Sequence, residues 1–205
     1  MSAVAEGGAA ASATPAAPRS VVFWAVLVAG LVSLPCLISG FSNDDLVHRL
    51  VLEHRVPGYE LSPFELYDFT PPRYAAPRLI DAGVFPWFAS PELALRFLRP
   101  LSSLSLALDH WLFGRDALLS HLQSWLWMLA LAAGAASLYQ RWFTRRAALM
   151  SALVFALSTV HGTPTAWLAS RHTLLAAALS MLALWAWVRH REQGQRRFAP
   201  LAGLF

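Results

Sequence analysis

Residues 20–40, SVVFWAVLVAGLVSLPCLISG, run without a single charged side chain. About 20 apolar residues in a row match the hydrocarbon thickness of a bilayer, and few soluble folds have room for such a run. The rest of the 205-residue chain agrees. Hydrophobic residues make up 57% and charged residues only 14%, where a soluble domain carries roughly a quarter. The mean hydropathy is +0.47. The pattern predicts an all-α membrane protein of about four transmembrane helices plus a long extracytoplasmic loop with interfacial amphipathic helices.

The segments follow from composition along the chain. Residues 1–19 are rich in Ala, Gly and Pro and are expected to be a disordered tail. Residues 20–40 form the first span, retained as an anchor: the apolar run is longer than a signal-peptide core and no A-x-A cleavage site follows. Residues 41–115 form the outer loop, broken by prolines and rich in acids. Helices are expected there at about 43–55 and within 91–113, the second kinked or split by Pro100. Leu46, Val47, Leu50 and Val51 would share one face of the first. Spans two, three and four cover 116–140, 143–160 and 166–188, with HGTPT (161–165) as a tight turn. Residues 189–205 form a basic cytoplasmic segment and the start of a further span, so the chain reads as the N-terminal part of a longer protein.

All 16 basic residues are Arg. They cluster beside apolar runs, at RWFTRR (141–146) and RHREQGQRR (189–197), which is topological charge and not a nucleic-acid signal. With the N-terminus cytoplasmic, both clusters fall inside, as the positive-inside rule requires. The expected location is the inner (plasma) membrane, multi-pass. Tryptophans at the ends of apolar runs (Trp24, Trp142, Trp167, Trp185, Trp187) suit the headgroup belts. The lone cysteine, Cys36, excludes an internal disulfide, and Pro35 and Ser33 do not suit a lipoprotein signal.

Several polar residues sit where chemistry could occur. Asp44 and Asp45 follow the first span. Capping of a helix by Ser42 or Asn43, with carboxylates favoured in the first turn, accounts for them; so does a general base at the outer face. His48 lies one turn after Asp44, but two residues do not make a metal site. Arg99 has the planar fork that suits phosphate, or it is a surface Arg at a helix start. His121, Arg171 and His172 lie near the outer ends of spans, where ionisable groups are functional candidates. His161 falls in the turn. No nucleotide-binding, hydrolase or zinc motif is present.

Three segments together resemble a known family. FSNDD after the first span, RPLSSLSLALDHWLFGRDALLSHL, and ALVFALSTVHGTPTAWLASRHTLLAA occur in the order found in the GT-C class of membrane glycosyltransferases, near its protein O-mannosyltransferase and tetratricopeptide-linked mannosyltransferase branches. The aspartates, Arg99, His121, His161 and Arg171 match the pattern. Ser158, Thr159 and Thr163 depart from its His-Pro-x-His-x-Glu turn, and Ser124 and Met128 from its second span. The resemblance implies a GT-C-like N-terminal portion and transfer, with inversion, of a sugar from a polyprenyl-phosphate donor to an acceptor hydroxyl on protein or glycan. Asp44 or Asp45 would be the catalytic base, and Arg99 and Arg171 the donor-phosphate ligands. His48, His121, His161 and His172 would be further polar members of the site. The resemblance fixes no cofactor; a divalent metal is compatible with it. The competing reading is a non-catalytic scaffold or transporter fragment, in which the same polar residues pack on one another.

Overall fold

The computed structural model describes residues 20–56, 61–71, 76–83 and 85–193. The expected N-terminal tail (1–19) and the segment after Gln193 lie outside the described residues. Most of those described are helical, with no strand beyond an isolated bridge between Asp68 and Arg96.

Helix α1 (Ser20–Ser33) continues through a 3-10 turn, Leu34–Ile38, with Pro35 in its first turn. Together they form one apolar segment of 19 residues. Two short loop helices, α2 (Asp44–Leu52) and α3 (Ala76–Asp81), precede α4 (Pro100–Phe113). Then come α5 (Ala117–Trp142), α6 (Arg145–Leu157), the short α7 (Gly162–Ala166) and α8 (Arg171–Gln193). Two segments are long and apolar enough to cross a membrane: Ser20–Ile38 and Leu168–Glu192. A third qualifies if α6 and the 159–166 segment, bent by 44°, form one broken span. Helix α5 has the length but not the apolarity, because it is the central helix, with α1, α6 and α8 packed around it.

Two local expectations are corrected. Residues 91–99 are not helical, and Pro100 opens α4 instead of kinking it. A proline lacks the N–H that a first-turn residue does not use, so the helix starts there at no cost. HGTPT is not a tight turn: Thr159–His161 form a 3-10 turn and Gly162–Ala166 a short helix.

The bundle packs through small residues. In α6, Ala148, Ala152 and Ala156 recur every four positions and are all buried. Ala148 and Ala152 meet Val21 and Ala25 of α1 and Ala136 of α5 in one cluster. Apolar side chains gain little by leaving lipid for another helix, so close backbone approach has to supply the contact energy. Gly134 shows the limit on α5: a Cβ there would stand 2.7 Å from Met181 Cγ on α8. Caps hold the ends. Asp116 accepts from the Leu119 N–H at 3.2 Å, and Thr144 from that of Ala147 at 3.5 Å.

Polar contacts pair the helix ends. At one end Arg145 donates to Ser20 Oγ at 3.3 Å, and Arg141 pairs with Glu192. At the other, Ser39 Oγ donates to the Ala166 carbonyl at 3.0 Å, and His121 Nε2 donates to the Gly40 carbonyl at 2.8 Å.

Overfilling the alanine seam tests this packing. Ala136→Leu should destabilise the protein by about 1–3 kcal/mol, read as a lower thermal unfolding midpoint in detergent. Val154→Leu, on the exposed flank of α6, should change nothing measurable.

Candidate functional site

The end of the bundle that carries the 41–115 loop is organised around Arg171, the first residue of α8, whose side chain has 0% exposure. Asp109 of α4 stands 2.6 Å from its Nη1. The two side chains form a buried ion pair. Nε donates to Ser124 Oγ at 2.8 Å, Nη2 to the Ser120 carbonyl at 2.7 Å, and Nη1 to Ser105 Oγ at 2.9 Å and to Gln123. Ser105 Oγ in turn donates to Gln123 at 2.8 Å. One guanidinium therefore joins α4, α5 and α8. Expected as a phosphate ligand, Arg171 turns into the protein and offers no surface to a ligand.

A second knot surrounds Ala169, in the 3-10 turn Leu168–Ser170 before α8. Its N–H donates to Asp45 Oδ1 at 2.6 Å. Its carbonyl accepts from Tyr67 Oη at 2.7 Å and from His172 Nδ1 at 3.2 Å. Because the Tyr67 proton goes to that carbonyl, the Ser102 hydroxyl donates to Tyr67 at 2.8 Å. Asp45 also accepts from the Ser42 N–H at 3.2 Å, reaching back across the start of α2. Burial pushes the Asp45 carboxyl above its ordinary pKa, against the backbone N–H bonds that favour its charge.

The two aspartates thus separate. Asp45 is buried and tied between α2 and the turn before α8. Asp44 is half-buried and has no hydrogen-bond or ion-pair partner among the described residues. Neither Asn43 nor Ser42 caps α2 through its side chain.

Arg99 precedes α4 and differs from Arg171 in every respect. Its guanidinium lies over the rings of Phe97 (4.6 Å) and Tyr67 (5.0 Å). Cation–π contact fixes its plane, and its N–H donors meet no acceptor among the described residues. It has no carboxylate partner among the described residues. It heads a groove of about 380 Å3 between α4 and α8, lined by Leu98, Leu101, His172, Leu175 and Leu179. The histidines do not converge. His121 is buried against Ser39 and Gly40. His161 donates to the Phe155 carbonyl at 3.0 Å and lines a different groove with Phe155 and Met181. His172 alone shares the Arg99 groove.

His48 is buried against Tyr67 (4.8 Å between rings) and Phe69 (5.6 Å). Neither ring nitrogen closes a well-formed hydrogen bond. Desolvation holds its pKa down at about 4, with Arg99 adding to the effect and the Leu66 backbone opposing it. A cavity of about 30 Å3, large enough for a water, lies against Asp45, His48, Asp109 and Ser120. At the end of α2, Glu53 accepts from Arg49 at 2.9 Å and from Arg115 at 3.0 Å, and these bonds hold its pKa at about 2. Among the described residues, no three His, Cys, Asp or Glu side chains gather as a metal-ligand set.

Tyr67, Phe97 and Asp109 were not expected in this site. Asp109 carried a signal: Ser102, Ser105 and Asp109 fall at i, i+3 and i+7, one face of a helix. A polar face on α4 and an Arg inside a span call for each other. Tyr67 and Phe97 come from irregular loop, where periodicity gives no guide.

No protein-family model, curated protein or solved structure matches this chain.

His48 makes the fold acid-sensitive. The unfolded chain takes up a proton near pH 6.5, whereas the folded site stays neutral down to about 4. Stability is therefore lost as pH falls through that window, by roughly 3 kcal/mol at most. The raised pKa of Asp45 acts in the opposite sense, so the comparison is with a variant. His48→Leu should flatten the fall in melting temperature between pH 7 and pH 5; an unchanged fall would place the sensitivity elsewhere.

Proposed function

We propose that this chain is the N-terminal part of a polytopic GT-C-type glycosyltransferase that moves a sugar from a polyprenyl-phosphate donor to an acceptor hydroxyl of a protein or glycan at the outer membrane face. The observation that carries the reading is Arg99: a cation with no carboxylate partner among the described residues, stacked on Tyr67 and Phe97, at the head of an apolar groove along α8. A phosphate fits the guanidinium fork, and an isoprenoid tail fits the Leu175–Leu179 flank. His172 would be a further polar group lining the groove beside the phosphate. Asp44 would be the base, because its carboxylate is uncommitted while Asp45 holds two backbone N–H groups.

In this mechanism the acceptor oxygen attacks the anomeric carbon from the face opposite the phosphate. The new C–O bond forms as the bond to the phosphate oxygen breaks. The hydroxyl proton goes to Asp44, and the leaving electron pair stays on the polyprenyl phosphate, whose charge Arg99 offsets. Arg171 serves as a brace that positions α4 and α8, the two walls of the groove.

The location that goes with this reading is the inner (plasma) membrane, with four spans and a cytoplasmic N-terminus. Ser20 lies at the end of the bundle that carries Arg141, Arg145 and Arg189, which supports that orientation. The scaffold or transporter reading also has an observation in its favour. Asp45, Asp109 and Arg171 are all consumed by contacts within the protein.

Sugar transfer by the full-length protein separates the two readings. Asp44→Asn should abolish transfer from a polyprenyl-phosphate sugar at unchanged expression. Arg99→Gln should weaken polyprenyl-phosphate binding by about 10- to 100-fold, the loss of one charge-assisted contact. Transfer that survives Asp44→Asn removes this base from the mechanism, and unchanged lipid-phosphate binding in Arg99→Gln removes the groove.

A further inference from the structure

Two helices of the outer loop are built inside out. On α4 the buried positions include Ser102, Ser103 and Asp109, while Leu101 (61% exposed), Leu104, Leu108 and Trp111 (78%) face outward. At 100° per residue those four form one stripe about 80° wide along the helix. On α2, Asp45 and His48 are buried, whereas Leu46, Val47 and Leu50 are exposed. A loop helix lying over a water-exposed domain would show the reverse polarity on each.

We propose that the apolar stripes of α2 and α4 lie against the acyl chains of the outer leaflet, so that this part of the loop sits in the membrane and not above it. Three observations favour lipid as the occupant. The α4 stripe is continuous with a membrane-crossing segment: Leu101 and Leu98 (94% exposed) line one groove with Leu175 and Leu179 of α8. The stripe carries no charge along its length. The cations at its two ends, Arg99 and Arg115, sit where phosphate headgroups would meet them, with Trp111 near the second, as in the aromatic and basic belts of membrane proteins. The inward polar faces complete the argument. Ser102, Ser105 and Asp109 find their partners in Tyr67 and Arg171, so the polar face of α4 is turned toward the protein and not to the outward side. This inference is independent of the glycosyltransferase reading, since a scaffold with the same fold would dip into lipid equally.

Spin labels decide the matter. In a Cys36→Ser background, single cysteines replace Leu46, Leu104 or Leu108, with Val154→Cys as a reference on α6 and Asp81→Cys as one in the outer loop. The labelled chains are placed in phosphatidylcholine/phosphatidylglycerol nanodiscs, and collision rates are measured with oxygen and with a water-soluble nickel chelate. Lipid contact predicts that oxygen exceeds the chelate at all three positions, as at Val154. Chelate collisions matching those at Asp81 would place the stripes in water and overturn the proposal. Labels that are immobilised and reached by neither reagent would show a protein covering the stripes, a second copy or another chain, and would overturn it as well. All three leucines are exposed, so the substitutions leave the packed face intact.

Discussion

A guanidinium with no contact to solvent, at the start of an apolar helix, has to be neutralised by the protein around it. Arg171 is in that position, and this end of the structure is arranged to meet its needs. Asp109 supplies the charge, Ser105, Gln123 and Ser124 supply side-chain acceptors, and Ser120 supplies a carbonyl. These groups come from α4 and α5, so neutralising one side chain also decides where two helices sit relative to α8. Buried pairs of this kind add little net stability against an apolar replacement, but losing one partner is costly. Their value is that they specify one arrangement.

That arrangement has consequences for the site. With Arg171 occupied, Arg99, stacked on Tyr67 and Phe97, is the cation at the head of the groove between α4 and α8. With Asp45 bound to Ala169 and Ser42, Asp44 is the uncommitted carboxylate. The inward turn of the polar face of α4 leaves its leucines outward. The same geometry thus sets the groove, the available charges and the apolar stripe. The opposite end of the bundle works by other means. There the alanines of α6 and the small residues of α1 and α5 allow close approach without polar contacts.

Much of the coarse architecture was legible from hydropathy. The first and last apolar segments appear close to where their composition places them, because a long apolar run has few alternatives. Helix α5 shows where that signal weakens: His121, Gln123 and Ser124 lower its hydropathy because it packs among helices instead of facing lipid. Pro100 was legible as a break, but its sequence does not distinguish the start of a helix from a kink. The differing fates of Asp44 and Asp45 could not be read at all. They are adjacent and chemically identical, and only the approach of Ala169, more than a hundred residues away, distinguishes them. The roles of Arg99 and Arg171 divide for the same reason, since each depends on which helices arrive beside it.

The central claim is that Arg171 and Asp109 act as one unit holding α4, α5 and α8 together at this end of the bundle. A double-mutant cycle of thermal or denaturant unfolding in nanodiscs tests it most directly, using Asp109→Leu, Arg171→Leu and the pair combined. Each single change strands a buried charge or its partners and should cost about 3–5 kcal/mol, while the double change should recover most of that loss. Single effects that simply add in the double variant, or an Arg171→Leu variant as stable as the parent, would contradict the account.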